Sequence, residues 1–403
     1  MNKLPDGWTE YKLKDIMSIS SKRYNPNKDT KNYKCIELEH IESETGILNG
    51  HTNSKDIHSV KNVFEKGEVL YGKLRPYLKK FYLAKFDGVC SSEIWVLKGK
   101  KVINDFLYYF IQQDNFNYIA NVSIGMIMPR ADWSYMSEIS FNIPPLDEQK
   151  RIASALSKID AYLENTIKLI EEKERFKRGI AKKLLTCKEG ENIPEARFKG
   201  FEDEWKEYNL SKIGVSYNGL RNKKANSFVE NCNAKYITYK SVYDKNKIDI
   251  NRLGNVFIGK NENQNLVKYG DIFFTISSET PDEVAISSVL LDEVENTYLN
   301  SFCFGFRFDF NILLPEFARY YFRSDYIRKS TYRLAQGITR YNISKKKFLD
   351  IIIYLPSLEE QEKIGGYLSL LDAEIDNLKK QKELIKEMKR GAMQKLLSGE
   401  VRL

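Results

Sequence analysis

One proline-led segment is written twice. "PPLDEQKRIASALSKIDAYLENTIKLIEE" starts at Pro144, and "LPSLEEQEKIGGYLSLLDAEIDNLKKQKEL" starts at Leu355. At a constant offset of 212, Pro144 falls on Pro356, Glu148-Gln149 on Glu360-Gln361, Asp160 on Asp372 and Arg178-Gly179 on Arg390-Gly391. Of the 42 positions from Pro144 to Leu185, 18 are identical without a gap. A repeat of this length requires one architecture built twice, which constrains the fold more than composition does.

Each copy carries helix-start signals: prolines just outside, then Asp147-Glu148 or Glu359-Glu360 where carboxylates suit the helix dipole. Apolar residues follow at alternating steps of four and three. They are Ile152, Leu156, Ile159, Leu163 and Leu184 in the first copy, and Ile364, Leu368, Leu371, Ile375 and Leu396 in the second. That spacing is a heptad seam, and the two stripes are expected to pair as an antiparallel coiled coil with a pseudo-two-fold repeat. About 40 helical residues span roughly 60 Å. Lys173, Lys177, Lys382 and Lys389 fall on seam positions. A buried lysine is costly unless it is paired, so the seam is expected to loosen there or to meet another subunit. The repeated Gly179 and Gly391 weaken their helices, and a close backbone approach is one reason to keep them.

A shorter repeat opens each half: "WTEYKLKDI" from Trp8 and "WKEYNLSKI" from Trp205. The chain therefore divides into a first globule (1–143), a first helix (144–190), a linker and second globule (191–355) and a second helix (356–403). "TCKEGENIPEARFKGFEDE" reads as a polar linker. Both globules read as mixed α and β, an α+β class, with the same element order. Alternating strands are expected at "KCIELEHI" and "KYITYKSV", apolar strands at "KGEVLYGKLRP" and "YGDIFFTISSET" and again at "SSEIWVLKG" and "NSFCFGFRFD". Aromatic helices follow at "DFLYYFIQQ" and "EFARYYFRS", then glycine loops at "GMIMPRADWSYM" and "GITRYNISKKKF".

Basic residues gather among aromatics in several of these loops. The first globule offers Lys73, Arg75, Lys79, Lys80 and, in its glycine loop, Arg130. The second offers Arg221, Lys223, Lys224, Arg333, Arg340, Tyr341, Lys345 and Lys346. Lysine neutralises phosphate and arginine can grip guanine with two parallel bonds, so these are the candidate DNA contacts. The formal charge of +9 suits such a partner without requiring it.

Other chemistries find little support. There is no phosphate loop or dinucleotide fingerprint, no amino-methyltransferase motif and no nuclease arrangement of acids with lysine. "SSEI" and "SSET" set serine beside an acid, with no histidine placed to activate it. His40, His51 and His58 lie near Cys35 without a ligand spacing, and the five dispersed cysteines point to reduced thiols in a cytoplasmic protein, so no metal site is expected. No apolar run of 18 residues suggests a membrane span, and the N-terminus has no secretory pattern. No catalytic residue is assigned.

With these residues in view, the chain resembles the specificity (S) subunit of Type I restriction-modification enzymes. The features that carry the resemblance are "PPLDEQKRIA" and "LPSLEEQEKI", the helix ends "KRGIAKKLL" and "KRGAMQKLL", and the stretches from Gly67 to Leu97 and from Tyr269 to Val289. It implies that each globule is a target-recognition domain reading one half of an asymmetric bipartite site in double-stranded DNA. The helices would space the halves and dock two modification subunits, which methylate adenine using S-adenosylmethionine, while restriction subunits use ATP and Mg²⁺. This chain would bind no cofactor and catalyse nothing. Because "MIMPRADW" replaces an arginine-tyrosine-asparagine run in the first glycine loop, Arg340 is the stronger candidate contact than Arg130. Two other readings stay open: a recognition subunit of a related bipartite methylating nuclease, and a coiled-coil adaptor that binds no DNA.

Overall fold

The computed structural model describes residues 5–122, 128–230 and 232–403. It divides into two compact units, one of residues 1–167 with 380–403 and the other of residues 168–379. Each unit holds one globule and a segment of both long helices, Leu146–Leu185 and Leu358–Leu397.

In the first unit, Thr9–Lys12 pairs antiparallel with Ser140–Ile143, the strand that leads into the long helix. A four-stranded antiparallel sheet runs in the order Met17–Ile19, Ile94–Gly99, Val69–Gly72, Phe81–Leu83. A five-stranded sheet built on Lys61–Phe64, Gly88–Cys90 and Lys34–Ile36 lies in the same globule. The second unit repeats the plan. Lys206–Asn209 pairs with Ile352–Leu355, and a four-stranded sheet runs Gly214–Asn218, Cys303–Phe308, Ile272–Thr275, Ser287–Val289.

The central strands are apolar at nearly every residue because both of their faces are covered. Val69 and Tyr71 point into one core with Phe106, Phe110 and Phe116, whereas Leu70 joins Phe64, Tyr82 and Val96. In the second unit Ile272 and Phe274 face Phe304, Phe317 and Phe348, and Phe273 turns to Ile237 and Leu299. Only the first residues of the two expected alternating strands form strand. The first stops at Ile36 and enters a short turn, Leu38–His40, in which the Glu37 N–H donates to His40 Nδ1. The second stops at Ile237, because the Thr238 hydroxyl caps a helix, Tyr239–Asp244, by accepting from the Ser241 N–H.

Within each unit the two helix segments run antiparallel against a shared core. Ile152 and Leu156 meet Met393, Leu396 and Leu397 in the first, with half-buried Ile159 against them. Leu184 and Leu185 meet Ile364, Leu368 and Leu371 in the second. Leu163 and Ile375 are buried as well. The apolar seam is thus continuous with the globule cores, and for this reason the compact units cut across the divisions drawn at 144 and 356.

The Glu-Gln pair at each helix start fastens that helix to its globule. Gln149 Nε2 donates to the carbonyls of Pro144 and Lys101, and its Oε1 accepts from Ile103 N–H. Gln361 does the same with Pro356, Ile312 and Leu314. Buried Glu148 takes a bidentate pair from Arg402 and a bond from the Trp8 indole, and buried Glu360 takes a bidentate pair from Arg197. In each unit the arginine follows the end of one helix and closes on the start of the other.

Three expectations are corrected. The seam lysines do not loosen the helices: Lys177 pairs with Asp372, Lys389 with Asp160 at 2.8 Å and Lys173 with Glu374 at 2.7 Å. Asp160 and Asp372 also accept from Tyr109 and Tyr320, so the hub itself is repeated. At Gly179 and Gly391 a Cβ would meet no atom within 4 Å, so close approach within this chain is not their reason. The polar linker is packed, with Phe198 edge-on to Tyr367 and Arg197 on Glu360.

Candidate nucleic-acid interface

The strand that follows each Gly-acid turn runs on past the sheet and meets the end of the glycine loop. In the first unit Leu74 bridges Arg130, Arg75 N–H donates to Pro129 O at 2.8 Å, and Ala131 N–H donates to Lys73 O at 2.9 Å. In the second, Ser277 pairs with Asn342 and Ser278 with Tyr341, while Ile343 N–H donates to Ile276 O at 3.1 Å. The start of the next strand joins in both: Lys73 N–H donates to Glu93 O, and Ile276 N–H to Phe302 O, each at 2.9 Å. This bonding sets Met128-Pro129-Arg130 in register with Arg340-Tyr341-Asn342, and Glu93 with Phe302. Residues 123–127, which include Gly125, Met126 and Ile127 of the first glycine loop, lie outside the described residues.

One backbone frame therefore carries two different surfaces. In the first unit it presents exposed Arg75, and Lys73 and Arg130 around Glu93. Arg130 Nε and Nη2 donate to the two Glu93 carboxylate oxygens at 3.0 and 3.1 Å, and Lys73 Nζ stands 4.0 Å from the same group. The bonds from Arg130 hold the Glu93 carboxyl below its ordinary pKa. In the second unit the frame presents half-buried Ser277, an exposed Phe302, and a hairpin tip closed by the two bonds between Gln336 and Asn342, while Ser278 is buried and donates its hydroxyl to Glu283. Ile338 at that tip is 93% exposed, with Arg340 exposed beside it.

The candidate cations fall into two groups. Arg75, Arg221, Lys224, Arg333, Arg340 and Lys346 are exposed and make no ion pair among the described residues. The others are tied into the fold. Lys80 Nζ donates to the carbonyls of Leu38 and Ile41. Lys223, its side chain 4% exposed, is held by Glu262 and the Phe257 carbonyl. Lys345 donates to Asn218. Lys79 stands between Glu44 and Asp114 at 3.8 and 3.6 Å. Through these bonds Lys80, Lys223 and Lys345 each hold a loop. Tyr341 is half-buried against the second core.

Glu93 and Phe302 were missed as site residues. Each immediately precedes a strand, in "SSEI" and "NSFC", and aligning those strand starts would have matched them. Among the described residues no group of three or more His, Cys, Asp or Glu side chains is arranged to hold a metal, and no helix is long and apolar enough to cross a membrane.

A family model described as "Type I restriction modification DNA specificity domain" matches residues 5–172 and again 202–387. A Type I restriction enzyme MjaVIII specificity subunit from Methanocaldococcus jannaschii is 28% identical over 367 residues, covering 87% of this chain and 80% of that protein. Two solved structures share the fold. One, described as the basis of "complex assembly and conformational transition of the type I R-M system", aligns over 100% of both chains with a TM-score of 0.63 and 16% identity. The other, the S subunit of a Type I restriction-modification system from M. genitalium, aligns over 98% of this chain and 97% of its own with a TM-score of 0.53 and 18% identity.

Proposed function

This chain belongs to the Type I restriction-modification DNA specificity family, and from that premise we propose that it reads a bipartite, asymmetric DNA site, one half with each globule. The observation that carries this reading is the repeated frame: matching backbone bonds in both units support different side chains. Two readers of one design with different targets need that combination. Arg75 and Arg340 are the leading base contacts, since both are exposed with uncommitted guanidinium groups, and arginine can hold guanine through two parallel bonds. Arg221, Lys224, Arg333 and Lys346 are assigned to phosphate, which positions without reading sequence.

The chain acts in the cytoplasm as a scaffold without chemistry of its own. Two modification subunits dock on it and methylate adenine, and restriction subunits join that core. S-adenosylmethionine, ATP and Mg²⁺ belong to those partners.

Reconstitution tests the reading. The isolated chain should transfer no methyl group, and should confer adenine methylation at a bipartite sequence when mixed with its modification subunits. Methylation of the same sequence after replacement by an unrelated DNA-reading subunit would overturn it. Anisotropy with random duplex should show a steep salt slope, and no binding at any salt would favour the protein-adaptor reading.

A further inference from the structure

We propose that Glu93 is a positioning residue that holds Arg130 for end-on, two-bond recognition of a guanine O6/N7 edge in the first half-site; this rests on the DNA-reading function proposed above. A guanidinium has five N–H donors in a rigid plane. The bonds to Glu93 take Nε–H and one hydrogen of Nη2, the side of the fork nearest the stem. The far edge, with the second Nη2 hydrogen and the Nη1 hydrogen beside it, keeps a parallel pair of donors. Guanine offers two adjacent acceptors in the major groove that match such a pair.

The rest of the geometry suits this use. Both backbones are held in place, because Glu93 O accepts from Lys73 N–H and Arg130 bridges to Leu74. The Arg130 side chain stays 46% exposed and Glu93 26%, so the carboxylate lies beneath and the guanidinium outside. An ion pair this exposed adds little to folding. A carboxylate at a cationic edge also repels the DNA backbone, so it is poorly explained as a phosphate-binding element. In the second unit Phe302 and Asn342 stand at the two equivalent places, so the device belongs to the first half-site alone.

Phosphate oxygens could take the same donors, and the test must separate the two acceptors. The complex with modification subunits is titrated by competition anisotropy with duplexes carrying the site found by methylome sequencing. Each guanine of the first half-site is replaced in turn by 7-deazaguanine, which lacks the N7 acceptor, and each nearby phosphate by methylphosphonate. The wild-type complex should lose about tenfold in affinity at one 7-deazaguanine position. Glu93→Ala and Arg130→Lys should bind the native site more weakly and lose sensitivity at that position, keep all sensitivity in the second half-site, and melt with the parent. Glu93→Ala should also bind random duplex more tightly, since a negative charge has gone.

Several results would overturn the proposal. They are a first half-site without guanine, a Glu93→Ala complex as sensitive to 7-deazaguanine as the parent, or sensitivity confined to methylphosphonate. A wild-type complex that does not distinguish its site from random duplex would instead remove the DNA-reading function beneath it.

Discussion

At Arg75 the backbone is left-handed (φ 52°), a conformation that costs a non-glycine residue roughly 1–2 kcal/mol. The chain is held there from both sides: Arg75 N–H donates to Pro129 O, and Leu78 N–H donates to Arg75 O. Arg75→Gly should therefore leave stability level or raise it by up to about 1 kcal/mol, strain relief being offset by glycine's greater chain entropy. The same substitution should weaken binding to the first half-site, and paired melting and anisotropy measurements check both signs. The second globule has a glycine-dependent position of its own at Gly337. Its φ of 147° is open only to glycine, and a Cβ would press on the Arg340 carbonyl. Gly337→Ala should cost about 1–3 kcal/mol locally and, by displacing Arg340, reduce second-half-site binding. At this scale the sequence located the basic clusters but could not tell free cations from clamped ones. The partners of Lys80, Lys223 and Lys345 are distant carbonyls and side chains, Phe257 O and Asn218 among them, and carbonyl placement leaves no mark in residue identity.

The long helices were the most legible elements, because an apolar seam of period 3.5 has one geometric solution. What the period hides is the register across the pair. Lys389 looked like a flaw in its seam until Asp160, on the other helix, came opposite it. Asp160→Ala would leave that lysine, whose side chain is largely buried, with Gln112 but no counter-charge, and should destabilise the first unit by about 3 kcal/mol. Adding Lys389→Met should restore most of the loss, and a double-mutant cycle by denaturant melting reads the coupling. The Glu-Gln pairs were visible as helix starts and invisible as fasteners, for the same reason as the clamped lysines: Gln149 and Gln361 bind backbone. Gly179 and Gly391 are a simpler matter. A methyl group meets nothing at either place, so Gly179→Ala and Gly391→Ala should each stabilise the free chain by about 1 kcal/mol. A lower melting temperature for either would show that the helix needs glycine there for its own folding.

For the whole molecule, the order of elements was legible and its partition into folding units was not. Composition changes at Pro144 and Pro356, so the sequence reads as globules alternating with helices. Burial answers a different question. Met393, Leu396 and Leu397, from the last helical turns, are buried in the core built by Phe106, Phe116 and Phe141, and Arg402 caps Glu148 in the same unit. The first globule is thus completed by residues more than 200 positions away from it in the chain, a closure that no local pattern records. Removing residues 380–403 takes three buried apolar side chains from that core, each contributing about 1.5–3 kcal/mol. The loss, on the order of 5 kcal/mol, rivals the whole stability of an ordinary domain. It also strands Glu148 without its arginine and Asp160 without its lysine. The second unit, residues 168–379, loses none of its own core. A chain ending at Lys379 should therefore melt in two steps, with the first globule unfolding well below the second. Limited proteolysis should then cut first within residues 5–143 while a fragment covering the second unit persists. A single cooperative melt at the parent temperature would show that the C-terminal turns do not complete the first core.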